Sequence, residues 1–473
     1  MNTNSMKIEQ IYTGCLAQGA YYIESEGEAA IVDPLRESKP YIDRANKHQS
    51  HIKYIFETHF HADFVSGHVD LANKTGATIV YGPQANPSFD FHSAIDGEEF
   101  QLGKLTIRVL HTPGHTMEST TYLLLDEKGD EYAIFSGDTL FIGDVGRPDL
   151  AQKGDLTQDD LAGYLYDSLR SKIMPLPNEV IVYPAHGAGS ACGKNMSKET
   201  SDTLGSQKQT NYALRVDMTK EEFIKEVTDG LLPPPQYFAK NVAMNKSETA
   251  GLDEILKTGH VALEVDTFEA LAKYEGTLIL DTRSKEAFVK SHIPGSIFIG
   301  LDGSFAPWVG ALITDLQQPI IFLAEEGREV EVVTRLSRVG YDNTLGYLEG
   351  GIAAWIAAHK DYDHLESISA DQFVSEYQNE PHVLDVRKPT EFNLKHVDRA
   401  VNAPLDHLND QIDGLSDKLK YFVYCQSGYR SLIAGSILKA RGIHNLVNVE
   451  GGIKAISETS VPVTDQVHPS TTA

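Results

Sequence analysis

An internal repeat constrains the fold of this 473-residue chain more than any other feature. Residues 281–292 begin Asp-Thr-Arg and carry Phe and His at the eighth and twelfth positions. The same spacing returns at residues 385–396, and a Glu-Gly-Gly-Ile segment follows each copy, at 349–352 and 450–453. A period of about 100 residues is too long for a solenoid unit, so it predicts a duplicated domain.

Each copy has the strand pattern of a small doubly wound α/β domain. The first strands are predicted at Thr277–Leu280 and His382–Leu384, and later apolar strands at Ile320–Leu323 and Tyr421–Tyr424. A loop and a helix follow the later strand in each copy, as expected for α/β units. The sequence predicts two tandem domains, over residues 258–360 and 364–465.

Four predicted strands in the N-terminal half run directly into potential metal ligands. A lone histidine after a strand is more often structural, but four such exits together predict a metal site at a sheet edge. The side chains at these exits are His59, His61 and Asp63 after the first strand, His111 and His115 after the second, Asp138 after the third and His186 after the fourth.

Composition excludes several classes of partner. The formal net charge of −26 argues against a nucleic-acid or anionic-membrane surface, because no basic face neutralises phosphates. Three cysteines, far apart and odd in number, are no disulfide framework and suit a reducing cytosol. The N-terminus lacks a signal-peptide pattern, and no apolar run approaches the roughly 20 residues that span a bilayer. We therefore expect a soluble cytoplasmic protein.

The ligand motifs together resemble those of the metallo-β-lactamase superfamily. They are Thr-His-x-His-x-Asp at 58–63, Thr-Pro-Gly-His at 112–115, Ser-Gly-Asp at 136–138 and Pro-Ala-His at 184–186. The resemblance covers roughly residues 6–230. It implies an αββα sandwich. The composition becomes polar and then proline-rich after residue 200, and we interpret residues 200–250 as an extension that completes a domain of residues 1–250, with a linker at Asn245–Gly251.

One residue departs from the superfamily signature His-x-His-x-Asp-His, because Phe64 stands where its last histidine is expected. The resemblance implies that one metal is held by His59, His115 and Asp138. It leaves His61, Asp63 and His186 as a vacated second site or as residues surrounding the first. Two histidines and one carboxylate with open positions are the facial triad associated with non-haem Fe(II).

Within the superfamily, this combination resembles the persulfide dioxygenases. These enzymes oxidise a low-molecular-weight thiol persulfide with O₂ to sulfite and the free thiol. The resemblance implies one Fe(II) per chain, and leaves the carrier open between glutathione, coenzyme A and bacillithiol types. The alternative is a thioester hydrolase of the glyoxalase II type, with zinc at the site.

The second copy of the repeat carries a segment that resembles the active loop of rhodanese sulfurtransferases. The loop consists of Cys425, Gln426, Ser427, Gly428, Tyr429 and Arg430. Its backbone N–H groups and the following helix are expected to stabilise a thiolate and then a persulfide on Cys425, with Arg430 as a fixed cation. The first copy has Ala324 in place of the cysteine, and acidic Glu325 and Glu326 after it, so we expect it to be inactive.

The whole chain resembles persulfide dioxygenase–rhodanese fusions, which implies a bifunctional enzyme of sulfide detoxification. If sulfite from the first domain accepts the sulfur held on Cys425, the product is thiosulfate. Family members form dimers or tetramers, so a homo-oligomer is expected. A third reading is a sulfur-relay protein in which the metal is structural. Two residues stay open: Cys192 either carries a persulfide or is a buried thiol, and Arg147 either binds an anionic substrate end or forms a salt bridge. His111 is expected to be structural.

Overall fold

The structure is a computed structural model that describes residues 6–152, 156–231 and 233–465. The described chain divides into two compact units. The first comprises residues up to 254 together with 337–340, and the second comprises the rest.

The first unit contains two six-stranded sheets. In spatial order the first sheet is β1 (Lys7–Thr13), β2 (Gln18–Ser25), β3 (Glu28–Val32), β4 (His51–Glu57), β5 (Thr78–Tyr81) and β6 (His92–Ser93). The second contains β7 (Glu99–Leu102), β8 (Leu105–His111), β9 (Thr120–Leu125), β10 (Glu131–Gly137), β11 (Ile181–Pro184) and β12 (Asp202–Thr203). The hairpin predicted before residue 33 is the antiparallel pair β2–β3.

Helices cover the outer faces of both sheets. They are α1 (Lys39–His48), α2 (His68–Thr75), α3 (Gln158–Ser168, continued by a π-helical segment Leu169–Ile173), α4 (Leu204–Thr210), a 3₁₀ turn Tyr212–Leu214, α5 (Lys220–Thr228) and α6 (Phe238–Asn245). Thr157 caps α3 through a reciprocal capping box with Asp160. The next helix, α7 (Leu252–Gly259), crosses the boundary between the two units.

The cores show why this unit is a four-layer sandwich. One apolar cluster fills the space between the sheets, with Phe56 and Val80 from one sheet against Tyr122 and Phe135 from the other. Two further clusters lie between each sheet and its helices. Strands that are apolar on both faces are expected where a sheet is covered on both sides. The αββα sandwich predicted from the motifs is therefore confirmed.

The second unit contains two copies of a five-stranded parallel sheet. In spatial order the first is β13 (Ala262–Leu263), β17 (Thr344–Leu348), β16 (Ile320–Leu323), β14 (Leu278–Asp281) and β15 (Ile297–Phe298). Its helices are α8 (Val265–Ala272), α9 (Lys285–Lys290), α10 (Phe305–Leu312), α11 (Glu329–Ser337) and α12 (Gly351–Ala357).

The second copy repeats this order. Its sheet is β18 (Glu366–Ile368), β23 (Leu446–Val449), β22 (Tyr421–Tyr424), β19 (His382–Asp385) and β21 (Val401–Asn402), beside the two-stranded pair β20 (His396–Val397) and β24 (Val463–Thr464). Its helices are α13 (Ala370–Tyr377), α14 (Pro389–Leu394), α15 (Leu408–Gln411), α16 (Tyr429–Ala440) and α17 (Gly452–Ile456), with 3₁₀ turns at Leu405–His407 and Ile412–Gly414. The duplicated α/β architecture is confirmed.

The linker prediction at Asn245–Gly251 was wrong at its first residue, because Asn245 ends helix α6 and is fully buried.

Among the helices of the described residues, none combines the length and the apolar character needed to cross a membrane.

Candidate metal centre and sulfurtransferase loop

Three buried side chains converge at the ends of three strands. His59 follows β4, His115 follows β8, and Asp138 follows β10. Each is no more than 2% exposed, and one ligand atom from each lies within 4.8 Å of the others. These are the three residues that the resemblance implies as ligands.

Hydrogen bonds orient both imidazoles toward the carboxylate. His115 Nδ1 donates to the carbonyl oxygen of Arg147 at 2.8 Å, and its Nε2 lies 3.4 Å from Asp138 Oδ2. His59 Nδ1 lies 3.0 Å from Thr58 Oγ1, whose own proton goes to Asp33, so the imidazole is the donor. Both Nε2 atoms are thus left free to bind a metal.

Asp138 shows that this cluster suits a cation. Its side chain is fully buried, and neither carboxylate oxygen has a hydrogen-bond partner among the described residues. Burial, together with the neighbouring imidazoles of His61, His115 and His186, lowers the pKa of His59 well below its ordinary value. A buried carboxylate facing an uncharged imidazole is costly, and a bound metal ion supplies the missing positive charge.

The remaining three predicted residues form a second cluster beside the first. His61, Asp63 and His186 are buried and place one ligand atom each within 4.8 Å of the others. His186 Nε2 lies 3.5 Å from Asp63 Oδ1 and 3.6 Å from Asp138 Oδ1. Burial raises the pKa of Asp63 above its ordinary value.

Phe64 fills space against this second cluster. Its ring is fully buried and stacks on the His61 imidazole, with a centroid distance of 4.3 Å and an interplanar angle of 30°. The same ring meets His186 edge-on at 6.5 Å. The last position of the signature is therefore occupied by a side chain that packs on His61 and cannot bind a metal.

His61 has carboxylate partners on its other side. Its Nε2 lies 3.1 Å from Asp33 Oδ1 and 3.6 Å from Glu57 Oε2, and all three residues are buried. Burial alone lowers the pKa of His61, but the adjacent Asp33 and Glu57 outweigh it and raise that pKa to about 9. No local sequence pattern indicates this pairing, because Asp33 follows the separate hairpin formed by β2 and β3.

Cys192 lies beside both ligand clusters. It is buried, and its sulfur is within 4.8 Å of ligand atoms of Asp138 and His186. Burial, with Asp63 and Asp138 nearby, raises the pKa of its thiol well above the ordinary value. The loop after it is tied down by Asp144, whose Oδ2 accepts hydrogen bonds from the backbone N–H groups of Lys194 and Asn195 at 2.6 Å.

Arg147 and His111 contribute differently. The Arg147 guanidinium forms two hydrogen bonds to Asp149, at 2.6 and 2.7 Å, so the structure shows the salt bridge. Its contact with the metal cluster is through its backbone carbonyl, and substrate binding by its side chain stays a prediction. His111 Nε2 donates to the carbonyl of Met117 at 2.9 Å, as a structural histidine does.

Asn245 is a site residue that the sequence analysis missed. Its amide nitrogen donates to the carbonyls of His61 and Phe64, and its oxygen accepts from the Ser66 N–H, each at 2.8 Å. One side chain on α6 thus holds the loop that carries the metal ligands. No local pattern indicates a contact between residues about 180 positions apart in the sequence.

A cavity of about 440 Å³ opens beside the metal cluster. His115 lines one part of it, and Lys246, at the end of α6, lines another. Phe60 and Val242 supply apolar walls, and the Lys246 ammonium lies 4.9 Å from the centre of the Phe60 ring. The volume is in the range of small-molecule sites.

The candidate sulfurtransferase loop begins where β22 ends. Cys425 is 1% exposed, whereas Gln426 and Ser427 are exposed. The Gly428 N–H donates to the Cys425 sulfur at 3.1 Å, and the next residue, Tyr429, begins α16. Gly428 has φ +102°, which favours glycine and lets the N–H turn toward the sulfur. The predicted cradle of backbone donors is thus present at one N–H.

Arg430 is held in an ion pair. Its guanidinium forms two hydrogen bonds to Glu391, at 2.6 and 2.7 Å. Burial raises the pKa of the Glu391 carboxyl, but the Arg430 pair outweighs it and holds that pKa below its ordinary value. A comparison of the two repeats could have indicated a role for Glu391 in the second copy, because the first copy has Ala287 at this position.

The first copy has an alanine in place of the cysteine, and its loop arginine is paired with two carboxylates. Ala324 follows β16, and the Glu325 carboxylate accepts a hydrogen bond from the Ser284 N–H at 3.1 Å. Arg328 is paired with Asp302 at 2.9 Å and with Glu331 at 2.7 Å. This arrangement agrees with the prediction that the first copy is inactive.

A buried His, His, Asp cluster on an αββα sandwich, followed by two small doubly wound copies, defines a metallo-β-lactamase-type domain joined to rhodanese-like domains. The profile of the metallo-β-lactamase superfamily matches residues 13–186, and that of the rhodanese-like domain matches residues 264–358 and 369–459. The chain belongs to the metallo-β-lactamase superfamily, with the rhodanese-like domains appended.

Three relatives illustrate the resemblance. The crystal structure of a metallo-β-lactamase from Staphylococcus aureus is 30% identical, covers 73% of this chain and 99% of its own, and has a TM-score of 0.64. Cytoplasmic hydroxyacylglutathione hydrolase of Arabidopsis thaliana is 33% identical over 38% of this chain and 67% of its own. The mitochondrial persulfide dioxygenase of Homo sapiens is 29% identical over 44% of this chain and 74% of its own.

Proposed function

We propose that the chain is a bifunctional enzyme of sulfane-sulfur metabolism. In this proposal the first unit oxidises a low-molecular-weight thiol persulfide with O₂, and the second rhodanese-like copy transfers sulfane sulfur through Cys425. The observation that carries the proposal is the buried Asp138 carboxylate between two oriented imidazoles, with one loop cysteine in the same chain.

The proposed oxidation balances without a further reductant. A persulfide RSSH, one O₂ and one water give RSH, sulfite and two protons, and the outer sulfur supplies the four electrons that O₂ takes up. Fe(II) held by His59, His115 and Asp138 would bring the persulfide sulfur and O₂ together, as the facial triad does elsewhere. The His115–Arg147 and His59–Thr58 hydrogen bonds keep both ligands in the required orientation.

Phe64 supports one metal per chain rather than two. Its ring stacks on His61, so a second metal would lack the last residue of the signature. His61 is also turned toward the carboxylates of Asp33 and Glu57. In the proposal, the second cluster surrounds the substrate side of the first and holds no iron.

The cavity beside His115 is the proposed site of the thiol carrier. Its apolar walls suit the carbon skeleton of the carrier, and Lys246 suits an anionic end such as a carboxylate. Arg147 stays a second candidate for that role, although its pairing with Asp149 would have to open. The structure leaves glutathione, coenzyme A and bacillithiol types as candidates.

Cys192 is proposed to take part in persulfide handling. Its sulfur lies within 4.8 Å of ligand atoms of Asp138 and His186, next to the residues that would hold the metal. Burial and the nearby carboxylates raise the pKa of its thiol, whereas a cation bound nearby would lower it. Turnover of a Cys192→Ser variant at the wild-type rate would reduce it to a packing residue.

The proposed sulfur transfer uses Cys425 as the nucleophile. The thiolate attacks the outer sulfur of a persulfide, giving Cys425–S–SH and releasing the thiolate of the carrier. Sulfite then attacks that outer sulfur, which forms thiosulfate and returns the Cys425 thiol. The Gly428 N–H at 3.1 Å is placed to stabilise negative charge on the sulfur.

A zinc thioester hydrolase is the second candidate, because the Arabidopsis hydrolase and the human dioxygenase are similar to this chain to a comparable extent. A third is a sulfur relay in which only Cys425 works and the metal is structural. Metal analysis combined with an oxygen electrode separates all three. Iron with O₂ uptake on adding glutathione persulfide supports the proposal, whereas zinc, no O₂ uptake and thioester cleavage would overturn it.

Two variants provide matched controls in that experiment. Asp138→Asn should abolish O₂ uptake and leave sulfur transfer from thiosulfate to cyanide unchanged. Cys425→Ser should do the reverse. If either substitution removes both activities while the protein stays folded, the assignment of one reaction to each site is wrong.

A further inference from the structure

The helix that carries the proposed sulfurtransferase loop is buried on every side. Every residue of α16 from Ser431 to Leu438 is buried, including Ser431 and Ser436. One face packs on its own sheet, against β22 and β23, and another contacts β15 of the first copy. A helix that is buried all round needs a neighbour beyond its own sheet. That neighbour is the first copy (residues 258–360), which is the cysteine-free copy.

Three polar contacts attach α16 outside its own copy. The Tyr429 hydroxyl donates to the Gly300 carbonyl at 2.9 Å, and the Phe298 N–H donates to Ser436 Oγ at 3.0 Å. The Lys439 ammonium lies 2.8 Å from Asp363 Oδ2, in the segment between the copies. Because β15 is an edge strand, the serine also satisfies a backbone donor that would otherwise be unpaired.

Tyr429 is the residue that links this interface to the loop. It directly follows Gly428, whose N–H is bonded to the Cys425 sulfur, and it is the first residue of α16. Its ring meets Phe298 edge-on at 6.0 Å, and a Cβ added at Gly303 would overlap the ring. Burial raises the pKa of the Tyr429 hydroxyl well above its ordinary value, so it stays a donor at neutral pH.

We propose that the cysteine-free copy positions the sulfurtransferase loop of the other copy, through Tyr429 seated between Phe298, Gly300 and Gly303. Tyr429 is then a positioning residue, which holds the Gly428 N–H on the Cys425 sulfur. This inference rests on the sulfurtransferase activity proposed above and adds a role for the inactive copy. The ion pairs near the loop, Arg430 with Glu391 and Arg387 with Asp385, lie within the active copy.

Gly303→Ala in the full chain is the sharpest test, because it changes only the inactive copy. Its φ is not positive, so alanine fits the backbone and acts by displacing the Tyr429 ring. We expect kcat for sulfur transfer from thiosulfate to cyanide to fall about tenfold, as for loss of one hydrogen bond to a charged sulfur, with KM unchanged. Gly414→Ala is the matched control, since a Cβ there meets no atom within 4 Å among the part of the chain that the structure describes.

Tyr429→Phe is the second variant, and it removes only the hydroxyl bonded to Gly300. We expect a smaller fall in kcat, about threefold. Tyr377→Phe is its control, because the Tyr377 hydroxyl donates to the Asp398 carbonyl at the same 2.9 Å, away from the loop. The double variant Gly303→Ala/Tyr429→Phe should lose less than the product of the two single effects, since both act through one ring.

A second readout keeps the test independent of the proposed function. Alkylation of Cys425 by iodoacetamide at fixed pH, followed on the Cys425 peptide by mass spectrometry, should slow about tenfold in Gly303→Ala and stay unchanged in Gly414→Ala. If the wild type transfers no sulfur but alkylation slows as expected, the proposed function fails and the positioning role stands. Unchanged kcat and alkylation in both variants, or strictly multiplicative effects in the double variant, would overturn it.

Discussion

Asn245 offers a direct test of how the metal loop is held. Its side chain is fully buried and makes three hydrogen bonds of 2.8 Å to the backbone of His61, Phe64 and Ser66. Replacing it by leucine removes all three and leaves buried backbone groups without partners. At roughly 1 kcal/mol for each bond, the loop should lose about 3 kcal/mol of local stability. Since each 1.4 kcal/mol is a factor of ten, its amides should exchange about 100 times faster.

Hydrogen–deuterium exchange of a peptide covering residues 59–67 measures this effect in the full chain. Asn241 supplies a matched control, because it is fully buried on the same helix and neither amide atom has a hydrogen-bond partner among the described residues. Asn241→Leu should therefore leave exchange of the loop unchanged, and Asn245→Leu should also lower metal content. Equal exchange in the two variants would refute the claim that Asn245 holds the loop.

Three further predictions follow from other contacts. Phe64→His should raise the metal content from one toward two per chain by elemental analysis; an unchanged content would mean that His61 and its carboxylates, rather than the phenyl ring, block the second site. Lys246→Ala should raise KM about tenfold for a persulfide with a carboxylate, with little change in kcat and none for an uncharged persulfide. The pKa of Glu391 is held below 4.5, so its pair with Arg430 stabilises the fold above pH 4.5 and that stability is lost as the pH falls through the lowered pKa. The urea midpoint should thus drop more steeply in acid for wild type than for Glu391→Gln, and parallel curves would contradict this.

The clustering of the candidate ligands could be predicted from the sequence, because each one closely follows an apolar strand. His59, His115 and Asp138 follow β4, β8 and β10, and strands that end at one edge of a sandwich bring their next residues together. The duplicated domain could also be predicted from the sequence, because the repeat preserves its spacing over twelve residues. Both inferences use information that is local in the chain.

The contacts that the sequence did not predict all join distant segments. Asn245 forms hydrogen bonds to the metal loop, which lies about 180 residues earlier in the sequence. Asp33 contacts His61, although the residues next to each of them in the sequence do not indicate this pairing. Tyr429 was recognised as part of a loop, but its hydrogen bond to Gly300 depends on how the two copies pack. Such pairings are fixed by tertiary packing, which local pattern does not encode.

The distribution of charge distinguishes the two ligand clusters more clearly than Phe64 alone. In the second cluster, His61 Nε2 lies 3.1 Å from Oδ1 of Asp33, a carboxylate that lies outside that cluster. In the first cluster, the carboxylate of Asp138 faces imidazoles whose other nitrogens are already bonded to Thr58 and to the Arg147 carbonyl. The contacts of His61 with Asp33 and Glu57 support the proposal of a centre with one metal. The identity of that metal is the measurement that separates dioxygenase from hydrolase.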